Sequence, residues 1–287
     1  IEIEKSMDVG ENIFFQGTDT KKGTLLLKKG TYINPGVVAL LATFGYSQIY
    51  VSQKPVVGVL ATGSELLELD EALVPGKIRN SNSYMLLAQI ERAGGEAVYL
   101  GKLEDDLDKG IYAVKEALNR VDILLTTGGV SVGDYDYLPD IYKHLGATVL
   151  FNKIAMRPGS VTTVAYMGQK MLFGLSGNPS ASYVGFELFV RPLLRTLLGK
   201  EKSHLRCVQA RLGEEFLVPN IFTRMIRGKI SYGLDGVTVY SSGLNMSSAV
   251  SSLAAADALI ILPGNETGYE KGSVVHILLL TDEEGSK

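Results

Sequence analysis

A short apolar run, Val121-Asp122-Ile123-Leu124-Leu125, leads directly into Thr126-Thr127-Gly128-Gly129-Val130-Ser131-Val132-Gly133-Asp134-Tyr135-Asp136. The run is rich in β-forming residues and reads as a buried parallel strand. Residues 137–145, closed by Gly146, carry a short helical pattern with a glycine stop. A strand that empties into a glycine-rich loop ahead of a helix points to α/β architecture, with the loop at the carboxyl edge of the sheet where ligands bind. Gly128, Gly129 and Gly133 let backbone N–H groups approach an anion closely. Ser131 adds a hydroxyl, and Asp134 with Asp136 add two carboxylates suited to a divalent cation.

The same alternation extends from residue 55 to about residue 200. Strands are expected at 56–60, 97–100, 121–125 and 148–151, and helices at 84–93, 107–118 and 137–145. Residues 161–165 and 171–175 flank Met167-Gly168-Gln169 as a hairpin, and Asn178-Pro179 opens a long helix through Leu198. This pattern predicts a mostly parallel, doubly wound sheet with helices on both faces. Beyond Leu205 the helical period stops. Strand candidates at 206–212, 224–231, 237–241, 258–262 and 274–280, joined by turns such as Leu234-Asp235-Gly236, predict a small all-β barrel or sandwich. Ahead of both, residues 1–54 read as a β-rich piece with a strand at 24–27. A helix at 35–44 follows, capped by Asn34 and stopped by Gly45. The expected division is therefore 1–54, 55–200 and 201–287. Ile1-Glu2-Ile3-Glu4 has no signal-peptide character and looks like the inside of a strand, so the chain reads as part of a longer protein.

Composition narrows the function classes. With 46% hydrophobic and 21% charged residues the chain is globular. A net charge of −3 gives no electrostatic case for nucleic acid, and no apolar run reaches the roughly 18 residues of a membrane helix. The single cysteine, Cys207, excludes an internal disulfide and is expected to be a small buried hydrophobe. A reducing cytoplasm is the default compartment. His144, His204 and His276 form no HxxH or HExxH pair, and no GxxxxGK[ST] is present, so a histidine-ligated zinc enzyme and a P-loop enzyme are disfavoured.

Further segments should open on the same sheet edge. Thr62-Gly63-Ser64-Glu65 is either a tight turn with Ser64 capping a helix or part of a ligand site. Asn80, Ser81 and Asn82 follow Lys77 and Arg79; Ser81 or Asn82 could be an N-cap, and the trio equally suits a heterocycle edge or phosphate. Lys153 and Arg157 precede Pro158-Gly159, and a strand-like approach would set both cations on one side to hold an oxyanion. Gly177-Asn178-Pro179-Ser180 opens the long helix, whose N–H groups form an anion site.

In this order, the segments from Ala61 to Leu66, Lys77 to Asn82, Thr127 to Tyr137, Ala155 to Gly159 and Gly174 to Pro179 resemble the molybdopterin molybdenumtransferase family, to which the gephyrin E domain is related. Gly10-Glu11-Asn12 and Gly17-Thr18-Asp19 resemble the family's preceding segment. The resemblance implies a homodimer with a molybdopterin-binding domain at 55–200 and a β-barrel domain after it. It implies insertion of molybdate into adenylylated molybdopterin, with release of AMP in the presence of Mg²⁺. Carried over residue by residue, Asp134 and Asp136 would hold Mg²⁺. Gly128, Gly129, Ser131 and 177–180 would bind phosphate or molybdate oxygens, Lys153 and Arg157 an oxyanion, and Asn80 with Asn82 the pterin or adenylate.

This chain departs from the family at two places. Ser64 stands where many relatives carry Asp, a role that Glu65 or Asp134 would have to fill. Ser180 lies one place earlier than the serine that relatives often show after Gly-Asn-Pro. Two other readings stay open: a molybdopterin adenylyltransferase, which resembles the α/β part alone, and a gephyrin-like scaffold without catalysis.

Overall fold

The computed structural model describes residues 5–103, 106–128, 138–264 and 267–280. The chain separates into two compact units, Ile1–Ile49 and Tyr50–Lys287. In the first, helix α1 (Pro35–Thr43) opens on Asn34, whose side chain accepts a hydrogen bond from the Val37 N–H at 2.9 Å. It closes in a Schellman motif. Gly45 sits at φ 77°, its N–H donates to Ala42 O at 3.1 Å, and the Tyr46 N–H reaches Leu41 O at 2.9 Å. The β-rich character expected ahead of this helix is not found. No described residue of this unit lies in a strand, and 24–27 run as unpaired chain. β-forming residues become a strand only where a second strand completes the ladder.

The second unit begins with β1 (Val56–Thr62), β2 (Leu66–Leu67), β3 (Ile78–Arg79), α2 (Ser81–Ala93), β4 (Glu96–Leu103), α3 (Leu107–Arg120) and β5 (Ile123–Thr127). It continues through α4 (Leu138–His144), β6 (Thr148–Phe151), β7 (Met156–Arg157), β8 (Thr163–Met167), β9 (Lys170–Leu175), α5 (Pro179–Gly185) and α6 (Arg191–Leu197). The main sheet has the order β4-β1-β5-β9-β8-β6. β4, β1, β5 and β9 are parallel, and β8 runs antiparallel to both its neighbours. The hairpin expected around Gly168 is therefore the one reversal in an otherwise parallel sheet. Alternating side chains feed two cores. Val57, Val59, Ile123 and Leu125 pack under α2, residues 186–190 and α6, while Leu60, Leu124 and Leu172 pack under α3 and α4.

The long helix predicted over 179–198 is present with a flaw. Between α5 and α6, residues 186–190 form a π-helical turn, and the Arg191 N–H reaches back to Phe186 O. Pro192 has no N–H, and its ring excludes the carbonyl of residue 188 from the normal α pattern, so the helix widens just before it. Glu187 lies on this turn and is fully buried. It accepts a hydrogen bond from Gln89 Nε2 at 2.7 Å, pairs with Arg92 and sits 3.8 Å from Arg191 Nε.

The remaining elements are β10 (Cys207–Leu212), β11 (Thr223–Gly233), β12 (Gly236–Ser241), α7 (Ser251–Ala254), β13 (Ala258–Leu262) and β14 (Val274–Leu279). In the order β12-β10-β14-β13-β11 the strands close on themselves through a β11–β12 ladder, forming the expected barrel around Ile226, Val239, Ile260 and Ile277. Gly228 belongs to both ladders of β11, where an added Cβ would lie 2.8 Å from Ile260 and 2.9 Å from Val239. Cys207 corrects its expectation. It is exposed, because the register of β10 turns Ala210 and Leu212 inward and leaves Cys207 outside.

Replacing Glu187 with Ala would leave the partly buried Arg92 and Arg191 without their buried carboxylate. Stability should fall by about 3 kcal/mol, measured as a lower urea midpoint at unchanged m-value.

Candidate functional site

The carboxyl ends of β1, β5 and β9 lie side by side, since β5 pairs with both of the others. Their loops pack backbone against backbone. A Cβ on Gly128, which sits at φ 92°, would lie 2.5 Å from Thr62 O and 2.6 Å from Thr62 Oγ1. Its N–H donates to Leu175 O at 3.0 Å, and a Cβ added to Gly177 would lie 3.5 Å from the Gly128 Cα. Glycine at 128 is thus required for close passage of three strand ends, and its own N–H is already used within the fold.

The wall opposite these loops is made by the barrel. The segment after β6, expected to approach in strand-like fashion with Lys153 and Arg157 on one side, folds back at β7 and joins β11 as an extra parallel strand, with Met156 opposite Thr223 and Arg157 opposite Arg224. Between the sheet edge and the barrel lies a cavity of about 1030 Å³. Of the residues proposed from sequence, Thr62, Gly63, Glu65, Gly128, Arg157, Pro158, Gly159, Gly177 and Asn178 line it. Gly129, Ser131, Gly133, Asp134 and Asp136 lie outside the described residues.

Other candidates sit elsewhere for physical reasons. No helix follows Ser64; Lys77 Nζ donates to its carbonyl at 2.6 Å, and β2 pairs with β3 instead. Asn80 is the N-cap of α2, accepting from the Ser83 N–H at 3.2 Å and donating to the Tyr99 hydroxyl at 3.0 Å. Ser81 is the exposed first residue of that helix. Asn82 is buried, its Nδ2 donating to Thr127 Oγ1 at 3.0 Å and Gly177 O at 2.8 Å, so it braces two of the loops. Arg79 is spent on the carbonyls of Glu68, Leu69 and Glu71. Lys153 is exposed and does not line the cavity. A turn in which the Met156 N–H bonds Ile154 O breaks the alternation that would have placed it beside Arg157. Ser180 is fully buried, and its N–H and hydroxyl bond to the carbonyls of Ser247 and Ala249 at 3.0 Å each. It ties the start of α5 to the barrel, so its N–H is not available to an anion; neither Ser180 nor Pro179 is a lining residue.

Sequence reasoning missed the barrel's contribution: Asn220, Arg224, Arg227, Asn245 and Ser247 also line the cavity. One signal was present, since Arg227 interrupts the apolar stretch Met225-Ile226 of β11, and a charge inside such a strand is rarely idle. Arg227 is 2% exposed and donates to Leu244 O, Met246 O and Ser252 Oγ at 3.0–3.2 Å. Desolvation lowers the pKa of both Arg224 and Arg227. Among the described residues, none of Arg157, Arg224 and Arg227 pairs with a carboxylate, and Glu65 is the one acidic side chain in the lining. Three arginines facing one carboxylate make the barrel side of the cavity a site for anionic groups.

A parallel sheet with glycine loops, facing a closed barrel across an arginine-lined cavity, defines an α/β–β protein whose cavity chemistry suits a polar, anionic group. Residues 58–196 match the family model described as a probable molybdopterin binding domain, and residues 209–280 match the MoeA C-terminal region (domain IV). The chain is 55% identical over 285 residues to a molybdopterin molybdenumtransferase of Bacillus subtilis and 51% identical over 277 residues to one of Staphylococcus aureus. These alignments include 99% and 96% of this chain and 66% of each relative, so the chain spans just under two thirds of the length of the curated relatives it matches. A molybdopterin biosynthesis protein structure from Pyrococcus horikoshii superposes with a TM-score of 0.80 at 30% identity, over 92% of this chain and 64% of that one. The chain belongs to the molybdopterin molybdenumtransferase family.

Gly128→Ala would force a methyl group against Thr62 and a side chain into left-handed backbone. It should cost about 2 kcal/mol and lower the melting temperature by roughly 5 °C, as followed by circular dichroism.

Proposed function

We propose that this chain takes part in molybdopterin molybdenumtransferase chemistry, with adenylylated molybdopterin and molybdate as substrates in the cavity between the sheet edge and the barrel. The observation that carries the reading is the juxtaposition of close-packed glycine loops with Arg157, Arg224 and Arg227 around about 1030 Å³ of space. That volume is at the upper end for small-molecule sites and suits a ligand with two ring systems and a pyrophosphate. The arginines would hold phosphate or molybdate oxygens, and Thr62, Gly63 and Gly177 would admit the ligand close to the backbone. In this reading the dithiolene sulfurs displace oxygen from molybdate, which leaves as water, and water cleaves the phosphoanhydride, releasing AMP and leaving the phosphate on the pterin. We take residues 55–200 as the pterin-binding domain and 201–287 as the barrel domain.

Magnesium belongs to this proposal through Asp134 and Asp136, supported by Glu65. The described residues do not form such a site by themselves, because no three His, Cys, Asp or Glu side chains come together among them. A homodimer in the cytoplasm completes the reading. Among the described residues no helix is long and apolar enough to cross a membrane. The adenylyltransferase alternative leaves the barrel without a purpose, whereas here the barrel supplies two of the three cavity arginines.

The decisive assay is AMP release from adenylylated molybdopterin, with and without molybdate, over a magnesium titration. Molybdate-dependent release, abolished in Asp134→Asn and reduced at least tenfold in Arg157→Ala, is expected; release indifferent to molybdate, or consumption of ATP, defeats the reading. Light scattering should give twice the monomer mass of 31.0 kDa.

A further inference from the structure

We propose that Phe222 is a positioning residue that holds the Arg157 guanidinium in place for anion binding; this rests on the functional reading above. The parallel pairing of β7 with β11 sets Arg157 directly opposite Arg224. Two like charges at paired positions repel, and each would swing away if nothing retained it. Arg224 is retained twice, by a hydrogen bond from NH1 to Val218 O at 3.1 Å and by the ring of Phe216, 5.8 Å from its Cζ. The Arg157 guanidinium has neither a hydrogen bond nor an ion pair among the described residues. What it has is the ring of Phe222, with its Cζ 5.3 Å from the centroid.

A cation over an aromatic face is attracted by the ring's quadrupole without using any N–H group. The Arg157 guanidinium can thus be localised while its donors stay available, which a carbonyl or carboxylate partner would not allow. The backbone that carries the ring is anchored. The Phe222 N–H donates to Asn220 Oδ1 at 2.9 Å, and the next residue, Thr223, is paired with buried Met156. Phe222 touches no reacting atom in this account. It reduces the rotamer freedom that Arg157 would otherwise lose when an anion binds.

The test is titration calorimetry with molybdate alone and with AMP alone, on the wild-type chain, Phe222→Leu, Phe222→Tyr, Arg157→Ala and the Phe222→Leu/Arg157→Ala double variant. The binding of at least one of the two anions should weaken about three- to tenfold in Phe222→Leu. Phe222→Tyr, which keeps the ring face, should stay within twofold of wild type. In the Arg157→Ala background, adding Phe222→Leu should change nothing further. Equal damage by Phe222→Leu with and without Arg157 overturns the proposal, because a general packing defect would behave that way. So does wild-type affinity in Phe222→Leu when Arg157→Ala binds weakly, or loss in Phe222→Tyr equal to that in Phe222→Leu. If Arg157→Ala binds both anions as well as wild type, or wild type binds neither, it is the underlying functional reading that fails.

Discussion

The two-residue ladder between β7 and β11 is the interaction on which the cavity depends. A loop leaving the sheet at Phe151 is captured as an added strand of the barrel, so Met156 is buried beside Met225, Leu259 and Leu280 while Arg157 faces the opening. Ser180, bonded to the carbonyls of Ser247 and Ala249, fixes the other side of the same junction. Apolar side chains fill the junction, and each backbone bond there fixes a direction. It is direction that sets which side chains of the barrel look into the site.

Much of this was legible in the chain itself. Strands announce themselves as short apolar runs, and both the exposed edge strand β6 and the buried barrel strand β13 begin and end where those runs do. Helix ends were readable where one residue type had one physical task, as with Asn34 and Gly45. The failures have a common cause. Asparagine and serine cap helices, brace loops and bind ligands with the same atoms, so Asn80, Asn82 and Ser180 could not be assigned until their partners were known. The turn at Ile154 and the capture of β7 are non-local events without a sequence period. Arg224 and Arg227 sit in a barrel strand far along the chain from every glycine loop, and only the closed fold brings them to the cavity. The family resemblance was stronger than any one motif because it depended on motif order, which does not require knowing what each side chain touches.

The molecule buries charge in two contrasting ways. Glu187 is enclosed with Arg92, Arg191 and Gln89 at the helical face of the sheet, where opposite charges meet and desolvation is offset internally. Arg227 is just as deeply buried but is held by carbonyls and a hydroxyl, and its net charge is left uncompensated by any described carboxylate. The first arrangement holds charges of both signs; the second has only neutral partners among the described residues.

The Arg157–Arg224 pair lies on the seam that joins sheet and barrel, and this gives occupancy of the cavity a mechanical meaning. An empty cavity leaves two cations pressing against the ladder that holds them side by side. Under the proposed function, an anion bound between them would turn that repulsion into a bridge and link ligand and seam thermodynamically, so that whatever tightens one would tighten the other. Substrate would then act as cement between the two domains, and its departure as the event that loosens them.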